Sequence, residues 1–201
     1  KLLIVESPGK INKIKEYLGN DYIVMASIGH IMDLDPNNIS INLENFEPQY
    51  STYNDKKDQI KKLKNATNQV GKENVLLAAD EDREGEMIAW SLAKELKLNN
   101  PKRIVFNSIT KKELTNAINN PKTIDYNMVY AQQARRILDR FGGYLVSPIL
   151  NKNGFKGNQS AGRVQSVVVK IIVDKEKEIE KFYKQDKSTY FYINCNMNIG
   201  E

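Results

Sequence analysis

Residues 75–86 read Val75-Leu76-Leu77-Ala78-Ala79-Asp80-Glu81-Asp82-Arg83-Glu84-Gly85-Glu86, an apolar run that stops abruptly at a cluster of acids. An unbroken run of this length matches a buried strand. Beyond it Ile88, Leu92 and Leu96 fall on one stripe with Ala89 and Ala93 beside them, which predicts a helix from about Gly85 to Leu98. The stretch is therefore strand, acidic turn, helix. Extended backbone continued past the strand places Asp80, Asp82 and Glu84 on one side, because side chains alternate with period two. Carboxylates held together repel and raise one another's pKa unless a cation sits among them, and Mg²⁺ with several retained waters suits such a group. The competing reading is a solvated acidic loop capping the helix, whose N-terminal end favours negative charge.

Working outward, the N-terminus repeats the pattern. Leu2-Leu3-Ile4-Val5 runs into Glu6-Ser7-Pro8-Gly9-Lys10 and then into helical spacing at Ile11, Ile14 and Leu18. Glu6 arriving beside Asp80 from a neighbouring strand end favours the metal reading over the capping one. A second strand is expected over Tyr22–Ser27, then an Asn-rich stretch to about Tyr53 with little periodicity. A charged helix over Lys56–Thr67 and a strand over Arg103–Asn107 complete the alternation. Strands alternating with helices predict an α/β fold with a mainly parallel sheet, whose ligands sit beyond the carboxyl ends of the strands.

After Thr110 the pattern turns helical: Lys111–Asn119, then about Asp125 to Phe141, then Ala161 to about Phe182. Asn119-Asn120-Pro121 breaks a helix and sets an expected boundary between residues 1–120 and 121–201. Weak alternation over Ser188–Ile199 predicts a strand whose pairing is not completed. That unfinished strand and the absence of an initial Met lead us to expect a trimmed piece of a longer chain.

Composition narrows the chemistry. One cysteine, Cys195, and one histidine, His30, cannot build a zinc site or a disulfide frame, so a metal must be held by carboxylates. No stretch is apolar for the roughly 20 residues a membrane helix needs, and no secretory signal leads the chain, so an intracellular protein is expected. The net charge of +5 is unevenly spread, with 13 basic against 16 acidic residues in 1–100 and 17 against 9 in 101–201. An acidic half suits a divalent cation and a basic half suits phosphate backbones, although such imbalance also arises by chance.

Two basic segments give that charge a form. In Gln132-Gln133-Ala134-Arg135-Arg136-Ile137-Leu138-Asp139-Arg140, Arg136 and Arg140 share a helix face while Arg135 can pair with Asp139 one turn on. Arginine forks onto phosphate, though a solvated helix face explains mixed charges equally well. Gly142-Gly143-Tyr144 should break or bend the helix and offer an aromatic ring to a base. In Ser160-Ala161-Gly162-Arg163-Val164-Gln165-Ser166, Ser160 is a good N-cap, and Gly162 just inside the first turn would let a phosphate approach the exposed N–H groups, with Arg163 as a clamp.

These motifs together carry a resemblance. Glu6 after the first strand and Asp80-Glu81-Asp82 after a later one are similar to the Toprim domain, a metal-dependent phosphotransfer module. Val5 to Lys10, Gly29-His30-Ile31-Met32-Asp33-Leu34 and Asp80 to Glu86 narrow the resemblance to type IA DNA topoisomerases, followed by their helical DNA-binding domain at Ala131–Arg140, Ser147-Pro148-Ile149-Leu150 and Ser160–Ser166. The form of that last motif resembles bacterial-type topoisomerase I. Asn151 departs from the pattern, where an aromatic is expected.

The resemblance implies a Rossmann-like Toprim fold followed by a mostly helical region. It also implies Mg²⁺-dependent cleavage and religation of one DNA strand through a 5′-phosphotyrosine, relaxing negative supercoils. Glu6, Asp80, Asp82 and Glu84 would hold Mg²⁺. Glu6, Lys10 and Arg163 would serve catalysis. His30, Arg135, Arg136, Asp139, Arg140, Tyr144, Asn151, Ser160, Ala161, Gly162, Arg163, Val164 and Gln165 would contact single-stranded DNA. None of the 10 tyrosines has the Tyr-x-Arg-Thr-Asp-Ser-like neighbourhood of the nucleophile, so this chain should bind DNA without cleaving it. A cytoplasmic monomer is expected, nucleoid-associated in a bacterium. The rivals are another Toprim enzyme, a primase or nuclease, and a non-catalytic DNA-binding module.

Overall fold

A computed structural model describes residues 1–152, 157, 159–184 and 190–197. Four short strands form one parallel sheet: β1 (Leu2–Val5), β2 (Ile23–Ala26), β5 (Val75–Ala78) and β6 (Lys102–Ile104), in the order β2-β1-β5-β6. Between β2 and β5 the chain forms an antiparallel pair, β3 (Met32–Leu34) with β4 (Tyr50–Thr52). This pair lies inside the stretch that sequence periodicity left irregular, because three-residue strands are too short to show alternation.

The sheet is central because its strands are buried on both faces. Alternation sends Leu2, Ile4, Val75 and Leu77 to one side, and Leu3, Val5, Leu76 and Ala78 to the other. The first side packs on α2 (Lys57–Val70), α3 (Arg83–Leu96) and the start of α5 (Tyr126–Phe141), through Leu63, Ile88, Leu92 and Val129. The second packs on α1 (Ile11–Leu18) and α4 (Lys111–Asn119) through Ile14, Leu114 and Ala117. This is the doubly covered parallel sheet that the alternation of elements predicts.

Register decides where the chemistry lies. Val5 stands beside both Ala26 and Ala78, and Ala78 beside Ile104, so all four strands end level. Glu6 and the Ala79-Asp80 segment leave adjacent strands at one carboxyl edge.

The chain divides into compact units over Lys1–Phe141 and Gly142–Glu201. Although a break is expected near residue 120, α5 packs on α3 within the first unit. The second unit holds a π-helical turn (Gly142–Val146), α6 (Ser147–Lys152) and α7 (Arg163–Tyr183). The expected terminal strand is absent from residues 190–197, which have no regular structure; Ser188 and Ile199 lie outside the described residues. No helix among the described residues is long and apolar enough to cross a membrane.

Candidate active site

The carboxyl edge of β1 and β5 brings together the residues at its heart. A turn of 3₁₀ helix at Pro8–Lys10 carries Lys10 back across the edge, and its ammonium meets Asp80 Oδ1 at 2.6 Å. Asp80 keeps most of its side chain in solvent, whereas Glu6 is half-buried and its backbone carbonyl accepts from Gly29 N. The chain reaches Gly29 through left-handed backbone at Ile28 (φ 61°) and Gly29 (φ 76°), and this turn delivers His30.

The acid cluster does not continue in extended form. Asp82 is the N-cap of α3, its Oδ1 accepting from Gly85 N at 2.7 Å, so helical geometry begins at Arg83. Period two therefore ends at Asp82, which corrects the expectation that Asp80, Asp82 and Glu84 share a side. Glu84 belongs to the first helical turn and is engaged elsewhere. One of its oxygens lies 2.8 Å from His30 Nε2, and the other accepts from Gln132 Nε2 of α5 at 2.5 Å. Glu81 pairs with Lys122 at 2.7 Å, and that ammonium holds its carboxyl below the ordinary range.

No three His, Cys, Asp or Glu side chains gather as a metal-ligating group among the described residues. The donors at the edge nevertheless fit a hard cation in kind. Glu6, Asp80 and Asp82 are carboxylates, and the ammonium against Asp80 shows that this oxygen accepts positive charge.

Beside this edge, α5 is fastened to the β3–β4 pair. Both Arg136 Nε, at 2.9 Å, and Arg136 Nη2 donate to the Asp33 carboxylate, which also accepts from Tyr53 Oη at 2.8 Å. Burial pushes the Asp33 pKa up, but the Arg136, Tyr53 and Leu34 N–H donors outweigh it and hold the carboxyl below its ordinary value. One turn on, Arg140 donates to the backbone carbonyls of Leu34, Asp35 and Asn38. The expected shared face of Arg136 and Arg140 is real, but both guanidinium groups grip protein. Arg135 approaches Asp139 at 3.9 Å, the pairing that their spacing predicts. His30, Asp33, Tyr50, Glu84, Gln132 and Arg136, with Met32 and Met87, line a small cavity of mixed polarity; Tyr50 Oη and Gln132 Oε1 are buried with no hydrogen-bond partner.

The second unit carries the remaining expected contacts. Asn151, set where an aromatic is expected, latches its loop by donating from Nδ2 to Gln159 O at 3.0 Å and accepting from Gln159 N at 2.7 Å. Ser160 is not the N-cap of α7. Gly162 holds that place in extended backbone, while Ser160 Oγ donates to Gln165 Oε1 at 3.2 Å. Gly162 thus lies just outside the first turn. Ala161 N donates to Ser147 Oγ, Tyr144 is part of the π turn, and Arg163 and Val164 open α7 on its exposed surface.

Asp33 and Arg103 escape sequence reasoning. Asp33 sits in a quoted motif without an assigned partner, since the spacing of a strand residue and a helix residue 103 positions apart signals nothing. Arg103 was readable only as a lone cation entering an apolar strand.

Residues 1–109 match the family described as Toprim domain, and residues 123–201 the family described as DNA topoisomerase. The chain belongs to the type IA DNA topoisomerase family. A protein of Acanthamoeba polyphaga mimivirus named "DNA topoisomerase 1 type prokaryotic" is 52% identical over 199 residues, covering 98% of this chain and 23% of its own length. Full-length topoisomerase I from Thermotoga maritima superposes with a TM-score of 0.82 at 46% identity, over 90% of this chain and 31% of that one. The chain thus spans less than a third of either topoisomerase.

Proposed function

We propose that this chain is the metal-binding and DNA-gripping portion of an enzyme that relaxes negatively supercoiled DNA by cutting and resealing one strand. The observation that carries the reading is the Lys10–Asp80 pair at the shared carboxyl edge of β1 and β5. It sets an ammonium against a carboxylate where an α/β sheet binds its ligands. Residues 1–120 form the metal-binding part and 121–201 the start of the DNA-binding part, working as a cytoplasmic monomer on single-stranded segments.

In the cleavage step a tyrosine hydroxyl gives up its proton to solvent as its oxygen bonds to phosphorus, the 3′-oxygen departs and takes up a proton, and a 5′-phosphotyrosine remains; resealing reverses each move. Glu6, at the strand edge, would hand over that proton, and Lys10 would offer positive charge to the phosphoryl oxygens. Mg²⁺, held by Glu6, Asp80 and Asp82, would add charge stabilisation and fix the phosphate. Glu84 joins that set only by releasing His30 and Gln132. Arg135 and Arg163 present guanidinium groups for the strand's phosphates.

The nucleophile is sought outside these 201 residues, because none of the 10 tyrosines lies in the expected neighbourhood. The chain alone should bind a labelled single-stranded oligonucleotide in fluorescence anisotropy, more weakly as salt rises, and leave a supercoiled plasmid unrelaxed. Relaxation by the chain alone would overturn the absent nucleophile, and salt-insensitive or missing binding would overturn the DNA-gripping role. In the longer protein, exchanging Asp80 and Asp82 for Asn should abolish relaxation. Unchanged activity there would leave a DNA-binding module without metal chemistry.

A further inference from the structure

Arg103 is the largest fully buried side chain among the described residues, and its guanidinium lies under the acidic turn. Its Nε donates to Glu86 Oε1 at 3.0 Å, its Nη1 to Ile104 O at 2.6 Å and its Nη2 to Asp80 O at 2.7 Å. A buried charge breaks even only when it is paired and its donors are occupied, and here each nitrogen has an acceptor. One of those acceptors is the backbone oxygen of the very residue whose carboxylate faces Lys10.

The same peptide is fixed from a second side. Gly85, in the first turn of α3, lies so close that a Cβ there would overlap the Asp80 carbonyl oxygen and come within 2.9 Å of Asp80 N. Glu86 extends the arrangement, since its second oxygen accepts from Asp125 N at 3.1 Å, at the entry to α5. Backbone at a strand end is otherwise free to re-aim its side chain. At Asp80 it is held by a charged donor on one side and by a missing methyl group on the other.

We propose that Arg103 is a positioning residue for the cation site: by holding the Asp80 carbonyl it fixes the direction of the Asp80 carboxylate and so sets the affinity for a divalent metal. The inference rests on the metal-binding reading given above. Arg103 is fully buried, and it would act through Asp80. Partners that orient a metal ligand in this way typically change metal affinity about 10–100-fold when removed.

The test is Mn²⁺ titration of the 201-residue chain, followed by loss of the free-ion electron paramagnetic resonance signal, with thermal melting recorded for each protein. Arg103→Lys keeps the charge and loses the fork, and should weaken Mn²⁺ binding by about tenfold. Gly85→Ala disturbs the same carbonyl from the opposite side with Arg103 intact, and should weaken it similarly. Leu92→Ala makes a cavity in the same helix, and should lower the melting temperature while leaving Mn²⁺ affinity at the wild-type value. If Arg103→Lys unfolds, Gly85→Ala decides alone. Wild-type affinity in whichever of Arg103→Lys and Gly85→Ala folds overturns the positioning role and leaves the metal site standing, as does an equal loss in Leu92→Ala. A wild-type chain that binds no Mn²⁺ overturns the metal reading itself, and the positioning role with it.

Discussion

Asp33 shows how one side chain can tie distant segments and make stability depend on pH. Its carboxylate is held below the ordinary Asp value of 3.8: burial raises the pKa, but hydrogen bonds from Arg136, Tyr53 and the Leu34 N–H outweigh it. A carboxyl whose folded pKa lies below its unfolded one stabilises the fold above the unfolded value, and that stabilisation disappears as pH falls through the folded value. Wild type should therefore lose stability below pH 3.8 in excess of Asp33→Asn, which should already be weaker at neutral pH by about 1–2 kcal/mol. Parallel urea melts of the two proteins at both pH values provide the check, and equal acid sensitivity would remove Asp33 as a source.

The alkaline side mirrors it, since burial and then the Asp33 charge push Tyr50 up to about 12, while burial and the hydrogen bond to Asp33 do the same for Tyr53. That contribution persists below the ordinary value of 10 and is lost as pH rises through about 12. At this scale the sequence misled in one instructive way. Glu84 was grouped with Asp80 and Asp82 by strand periodicity, but an Asp two residues earlier caps a helix and changes the period from 2 to 3.6.

Among the elements, strands and helices whose apolar spacing spans a turn or more were legible: β1, β5, α3, α4 and α5 all form where periodicity predicts them. The β3–β4 pair was not, because it is stabilised from outside. Met32 and Leu34 are buried and Tyr50 stacks edge-on against Trp90 at 5.7 Å, while Arg136 and Arg140 reach across from α5. None of those partners is near in sequence. If the arginines are fasteners for this pair, Arg140→Ala should speed hydrogen exchange of the amides of Met32–Leu34 and Tyr50–Thr52 about tenfold, with β1 and β5 unaffected. Unaltered exchange in the hairpin would show that apolar packing alone retains it.

Across the whole molecule, the two units contrast sharply. In Lys1–Phe141 both faces of the sheet are covered and the apolar residues of its strands are buried. In α7, by contrast, Val164, Val167, Val168, Val169, Ile171, Ile172 and Val173 are all exposed. In the 201-residue chain these residues form an apolar area open to a hydrophobic dye. Mixing the chain with anilinonaphthalene sulfonate should give strong fluorescence, reduced several-fold by exchanging Val168 and Ile172 for Lys with helix content unchanged. Fluorescence indifferent to those exchanges would place the dye elsewhere.

The bareness of α7 has a practical corollary at the bench. A helix that leaves seven branched apolar side chains between Val164 and Val173 uncovered is a poor lodger in water: preparations of the 201-residue chain would cling to hydrophobic resins and cloud on concentration. Mild detergent should rescue them where added salt makes matters worse.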